Sequence, residues 1–319
     1  MERLLLHSQW CLDDVVDAVT GRFPDIEIHH TETYDGMVRE IDAFKPTIIY
    51  SIRGGQGPFP REAILGSDSV HWFSNGGVGI DHLRPWDPDR LTVTNSAGVS
   101  GEAMAQYIIG GLIALCMRFP QYWRDKAARR WDIQKVTYLA GKTLAVIGLG
   151  GTGARVVPLA RAMGMRVIGV RANPRPMEGV DRVAGLDDLD AILAEADAIA
   201  VCVPLTDQTR HLIDARALGL MKPGVLLADV SRGGVVDQIA LNAALDDGHV
   251  AGAVLDVFEP EPLPADSPLW AQPNAILTPH SSAEYTGWER NSAIMFCDNL
   301  DRYLAGEQRE RVVDPGRGY

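Results

Sequence analysis

The sequence predicts an α/β protein built on parallel sheets, and three observations carry that expectation. Short β-rich apolar runs alternate with helix-period segments almost from end to end. From Lys142 the alternation becomes more regular, and six strand candidates follow one another, the number that a doubly wound sheet uses. The chain has 319 residues, 46% hydrophobic and 23% charged, enough for two domains each with its own core.

Taken in order, strands are predicted at RLLLH (3–7), IEIHH (26–30), TIIYS (47–51), VHWFS (70–74) and LTVTN (91–95), with helices between the first three. The segment 98–119 reads as one long, mostly buried helix. The following QYWRDKAARRWDIQKVTYLAGK is polar, basic and aromatic, as suits a surface connector. The six later strands are TLAVIGL, RVIGV, DAIAVCV, GVLLADV, AGAVLDVF and NAILTP, most of them separated by helix or turn segments. GWERNSAIMFCDNLDRYLAGE ends the pattern as an amphipathic helix.

A net charge of -12 with no basic run argues against nucleic acid or an anionic membrane surface as partner. An anionic ligand must then be held by a few local arginines and backbone amides. Cys11, Cys116, Cys202 and Cys297 are scattered, with no CxxC pair, and no metal site is expected. The apolar run 107–117 is too short to span a bilayer, and the start MERLLLHSQW is too short for a signal peptide, so a cytoplasmic location is expected.

In a parallel sheet all strands point one way, so the residues just after them gather along one edge, where ligands bind. After TLAVI comes GLGGTG (148–153), a G-x-G-x-x-G between a strand and a helix. Gly148 permits the turn, Gly150 lets backbone approach a pyrophosphate, and Gly153 allows close packing of the helix, whose N-terminus offers donors to phosphate. Gly151 and Thr152 complete this predicted dinucleotide site. After RVIGV, a carboxylate would bind the ribose hydroxyls of NAD, but Arg171 stands there with Arg175 close behind. Guanidinium groups suit the 2′-phosphate of NADP, so NADP is preferred, with NAD possible and an ordinary surface loop as the alternative. Val203, Pro204, Val230, Ser231, Asp256 and Ser282, also at strand ends, are further candidates for contact with the cofactor.

Three other strand ends bring Arg232, a pair of glutamates (Glu259 and Glu261) and His280 to the same edge. Singly, each has an ordinary explanation: a helix cap, a solvated acid, a structural histidine. Together they supply what carbonyl reduction needs: a cation to hold and polarise an anionic substrate, an acid to protonate the alkoxide, and a carboxylate to orient that acid. Spacing alone does not choose between the two glutamates.

The set GKTLAVIGLGGTGARVVPLARAMGMRVIGV, CVPLTDQTRHLID, MKPGVLLADVSRGGVVD, AGAVLDVFEPEPLP, NAILTPH and VVDPGRGY resembles the D-isomer-specific 2-hydroxyacid dehydrogenases over nearly the whole chain. The resemblance implies Arg232, Glu261 and His280 as the catalytic trio, with His280 also beside the nicotinamide. It implies a Rossmann cofactor domain, 99–287, inserted into a smaller flavodoxin-like α/β substrate domain, 1–98 plus 288–319, with catalysis in the cleft and closure around the substrate. The loop NGGVG (75–79) matches the family position whose amides hold the substrate carboxylate, which makes Gly76 and Gly77 substrate-binding candidates together with Arg53, Arg232 and His280. Arg171 and the VDPGRGY ending resemble the glyoxylate/hydroxypyruvate reductase branch, and a homodimer is the family expectation. With no regulatory domain after Tyr319, the long phosphoglycerate dehydrogenases fit less well. The family's formate dehydrogenases carry glutamine at the position of Glu261. The alternatives are another dehydrogenase of the family, of D-3-phosphoglycerate or phosphite type, or a dehydrogenase-like binding or co-repressor protein.

Overall fold

Three consecutive leucines set the centre of the first sheet. Leu4, Leu5 and Leu6, in strand β1 (Arg3–His7), are all fully buried. A strand apolar on both faces belongs inside a parallel sheet covered by helices on both sides. The computed structural model describes residues 2–52 and 57–316. It divides into two units: Met1–Val99 with Thr286–Tyr319, and Ser100–Tyr285. In the first, β1 is followed by α1 (Leu12–Thr20), β2 (Glu27–Thr31), α2 (Tyr34–Ala43), β3 (Ile48–Ser51), α3 (Arg61–Gly66), β4 (Trp72–Asn75) and β5 (Thr92–Asn95). The sheet order is β2-β1-β3-β4-β5, every pair parallel. Strand β2, EIHHT, lies at the edge and is largely exposed, which is why its sequence is polar.

The second unit opens with α4 (Gly101–Cys116) and α5 (Phe119–Ala127). The single helix expected over 98–119 stops earlier, because Arg118 adopts a left-handed conformation (φ 58°) and Pro120 starts a new helix. The expected connector is therefore helical in its first part, and only the part from 128 onward is irregular. Among the described residues no single helix is long and apolar enough to cross a membrane.

The second sheet uses β6 (Thr143–Ile147), α6 (Gly153–Ala162), β7 (Arg166–Val170), β8 (Arg182–Ala184), α7 (Leu189–Glu195), β9 (Ala198–Val201), α8 (Ala215–Leu220), β10 (Val225–Asp229), α9 (Gln238–Asp246), β11 (Val250–Leu255) and β12 (Ala275–Leu277). Its seven strands are ordered β12-β11-β10-β9-β6-β7-β8, all parallel. This is the doubly wound Rossmann arrangement, and the order reverses between β6 and β9. The sequence predicts six strands here. The seventh, β8, has only three residues, RVA, too few to show a period of two.

The last helix, α10 (Trp288–Leu304), belongs to the first unit and buries Trp288, Ser292, Ala293, Phe296, Cys297 and Leu300. The Phe296 ring lies 4.9 Å from Tyr50 and 5.3 Å from Trp72, so α10 seals one face of the five-stranded sheet. The sequence candidate Arg53, with Gly54, lies outside the described residues, as does the end of the VDPGRGY segment.

Candidate active site

Ligands of a doubly wound sheet bind where its strand order reverses, and here that point is the end of β6 next to β9. Gly148 has φ 100°, and a Cβ there would lie 2.8 Å from the carbonyl oxygen of Cys202. A Cβ on Gly153 would lie 1.9 Å from the Gly148 carbonyl oxygen, so only glycine lets α6 start this close to the strand. Gly150 differs: a Cβ there would meet none of the described residues within 4 Å, and the backbone borders open space. Among the described residues no side chain caps α6, and the Thr152 hydroxyl turns towards the Met104 sulfur at 3.4 Å. The first-turn N–H groups near Gly151, Thr152 and Gly153 are thus left to a ligand.

Arg171 continues β7, its N–H donating to the Ala184 carbonyl at 3.0 Å. Its neighbours Arg161, Arg166 and Arg182 are engaged with Asp181 or Glu195. Among the described residues neither Arg171 nor Arg175 has an acidic partner. Val203 and Pro204 lie half-buried after β9, and the Pro204 carbonyl accepts from the Thr209 hydroxyl at 2.6 Å.

On the other half of the edge, His280 Nδ1 lies 2.8 Å from Glu261 Oε2, and the Phe258 N–H donates to Glu261 Oε1 at 2.9 Å. Burial raises the Glu261 pKa, but the hydrogen bonds from His280 and Phe258 and the charges of His280 and Arg232 outweigh it, leaving a net lowering. Arg232 is therefore near enough to act on Glu261, and its Nη1 also donates to the Ser231 carbonyl at 2.7 Å. Glu259 points elsewhere and pairs with Arg210 at 3.1 Å. Geometry thus separates two acids that spacing leaves equivalent.

Asp256 is buried, and its carboxylate accepts from Thr278 Oγ1 at 2.5 Å, Ser281 N at 2.8 Å and Ser282 N at 3.0 Å. Ser282 is only 7% exposed, and its buried hydroxyl has no hydrogen-bond partner among the described residues. A buried orphan hydroxyl is costly unless a ligand meets it. That orphan, the open space at Gly150 and the uncapped α6 all fit a dinucleotide. Val230 and Ser231 are buried after β10, and Ser231 donates through N and Oγ to Asp229.

In the first unit, Gly76 is tightly enclosed, since a Cβ there would lie 2.5 Å from Ile52 Cγ1. Its N–H already donates to the Ser51 carbonyl at 2.8 Å. Of the two candidates Gly76 and Gly77, it is Gly77 whose N–H has no acceptor among the described residues.

Three residues escape a reading of the sequence. Asp229 is wholly buried at the end of β10, and burial, reinforced by the charge of Asp256, pushes it up to about 7 against its bonds to Ser231 and the charge of Arg232. Its one sequence signal is an acid within the apolar run GVLLADV. Tyr107, on α4, reaches Thr278 Oγ1 at 2.6 Å, and nothing local announces it. His7, in the first unit, is buried with Nδ1 3.0 Å from Ser51 Oγ, and burial pushes it down to about 4.

A Rossmann sheet with a glycine turn, and a histidine–carboxylate pair on the same edge, defines a site of the nicotinamide-dependent oxidoreductase class. Residues 109–282 match the family described as D-isomer specific 2-hydroxyacid dehydrogenase, NAD binding domain. The chain belongs to the D-isomer-specific 2-hydroxyacid dehydrogenases. It is 34% identical over 250 residues to a glyoxylate reductase of Aeropyrum pernix, covering 74% of each chain. It is 32% identical to a D-3-phosphoglycerate dehydrogenase of Methanocaldococcus jannaschii over 90% of its own length, but spans only 56% of that longer relative. Among solved structures, a D-isomer specific 2-hydroxyacid dehydrogenase of Xanthobacter autotrophicus Py2 in complex with NADPH and MES superposes with a TM-score of 0.86 at 31% identity, covering 100% of this chain and 99% of that one.

Proposed function

We propose that this protein reduces a small 2-keto acid to the D-2-hydroxy acid, with glyoxylate and hydroxypyruvate as first candidates and NADPH as the preferred cofactor. The observation that carries the reading is the His280–Glu261 pair at 2.8 Å on the cofactor edge of the second unit. A bound nicotinamide supplies the hydride. The protein's own groups do the rest: His280 gives a proton to the developing alkoxide, Glu261 orients the ring, and Arg232 polarises the keto oxygen and holds the carboxylate. The Gly77 amide is the proposed further donor to that carboxylate. The glycine turn, the first turn of α6 and the Ser282 hydroxyl would hold the dinucleotide, and Arg171 and Arg175, which have no acidic partner among the described residues, favour a 2′-phosphate over a bare ribose. A cytoplasmic homodimer is part of the same reading.

The phosphoglycerate dehydrogenase relative makes 3-phosphohydroxypyruvate the second candidate substrate. Steady-state turnover of glyoxylate, hydroxypyruvate, 3-phosphohydroxypyruvate and pyruvate, each with NADPH and NADH, tests both substrate and cofactor. The expected outcome is the highest kcat/KM for glyoxylate or hydroxypyruvate with NADPH. Zero turnover throughout the panel would replace the enzyme by a ligand-binding role.

A further inference from the structure

His280 sits where its backbone is least at ease, at φ 52°, in the left-handed region that favours glycine. Something must hold it there, and the groups around it point to Asp256. The Asp256 carboxylate accepts from Ser281 N at 2.8 Å and Ser282 N at 3.0 Å, the two residues directly after His280. It accepts from the Thr278 hydroxyl at 2.5 Å, two residues before His280. The Asp256 carbonyl accepts from His280 N itself at 2.8 Å. One residue at the end of β11 thus clasps the turn on both sides of the histidine.

The clasp has a second layer. Because Thr278 gives its only hydroxyl proton to Asp256, Tyr107 must be the donor in its 2.6 Å contact with Thr278. Tyr107 comes from α4, which packs beneath the sheet, so the turn is tied to the core through a chain running Tyr107 to Thr278 to Asp256. The partners of the carboxylate are all donors, and together they occupy both of its oxygens.

We propose that Asp256 is the positioning residue of the proton donor: its carboxylate holds the 278–282 turn so that the His280 ring meets Glu261. This rests on the reading of His280 as the proton donor, and it gives Asp256 a task other than touching the cofactor. Loss of the clasp lets the backbone at His280 relax towards ordinary φ values and carries the imidazole away from Glu261.

The test uses Asp256→Asn, which keeps the shape but turns one acceptor into a donor facing an N–H. Amide hydrogen exchange on the unliganded protein should show loss of protection at Ser281 and Ser282, with β10 and β11 unchanged. In turnover, kcat should fall roughly 10²-fold, the scale of a misplaced catalytic group, while KM for the dinucleotide moves less than about 3-fold. Thr278→Val should give a weaker form of both effects and Thr278→Ser should restore them, and these two variants carry the test if Asp256→Asn does not fold. Unchanged exchange at Ser281 and Ser282 overturns the proposal, as does a raised KM for the dinucleotide with kcat retained. If the wild-type protein reduces no keto acid, the functional reading fails, while the exchange experiment still decides whether Asp256 holds the turn.

Discussion

At Asp229 the fold keeps a carboxyl away from water, and the consequence can be measured. Its pKa in the folded chain is pushed up to about 7 by burial, from an unfolded value near 3.8. Between those values the folded protein holds a proton that the unfolded chain has released. Stability from this group is therefore full below the unfolded pKa, declines as pH rises through the window, and levels off above about 7. Roughly three pH units at about 1.4 kcal/mol each make the loss on the order of 4 kcal/mol. His7 acts in the opposite sense: its pKa is pushed down to about 4, so its contribution is full above the unfolded value near 6.5 and lost as pH falls. Asp229→Asn keeps an acceptor for Ser231 and removes the ionisation. Urea unfolding should show the variant gaining on the wild type by a few kcal/mol between pH 5 and pH 8, with His7 cancelling in the difference. A constant difference across that range would mean that Asp229 ionises freely in the folded state. This acid was legible in the sequence only as an oddity in an apolar run, because its burial depends on what α4 and the neighbouring strand ends place over it.

At the scale of the element, the turn from β6 into α6 separates two demands on glycine. Gly153 is required by packing, with 1.9 Å between a would-be Cβ and the Gly148 carbonyl, whereas Gly150 faces open space. Gly153→Ala should destabilise the protein by several kcal/mol and weaken dinucleotide binding with it. Gly150→Ala should leave the melting temperature within about 2 °C and still weaken NADPH binding at least 10-fold, since its new methyl stands where backbone must meet phosphate. Thermal melts and NADPH fluorescence titration of the two variants check this, and equal destabilisation of both would defeat the distinction. The glycine motif was readable because strand, turn and helix are contiguous. The break between α4 and α5 was less so: Pro120 is visible in the sequence, but the left-handed Arg118 before it is not. Strand β8 was invisible for a different reason, as three residues at a sheet edge carry no period.

At the scale of the whole molecule, the segment after α4 leaves apolar surface without cover. Trp131 is 98% exposed and Ile133 86%, with Trp123 and Tyr138 also open. Side chains of this kind in one stretch mark an interaction surface, and a second copy of the chain is the partner proposed here. Sedimentation velocity should give a dimer for the wild type, and Trp131→Ser with Ile133→Ser should shift it towards monomer. A wild-type monomer at micromolar concentration would remove the homodimer from the reading.

Local pattern was sufficient for the α/β class, the parallel sheets, the glycine turn and the family. Each of these is written in residues close together along the chain, where periodicity and turn chemistry act directly. The sheet order, the hydrogen bond that Glu261 makes with His280 while Glu259 turns to Arg210, and the hold of Asp256 on the turn came only from the tertiary structure, although the family resemblance already favours Glu261. The contacts of His280 and Asp256 join groups 19 to 26 residues apart on different strand ends. They exist because neighbouring parallel strands bring their ends together, and no short-range preference of the chain specifies which side chain will face which.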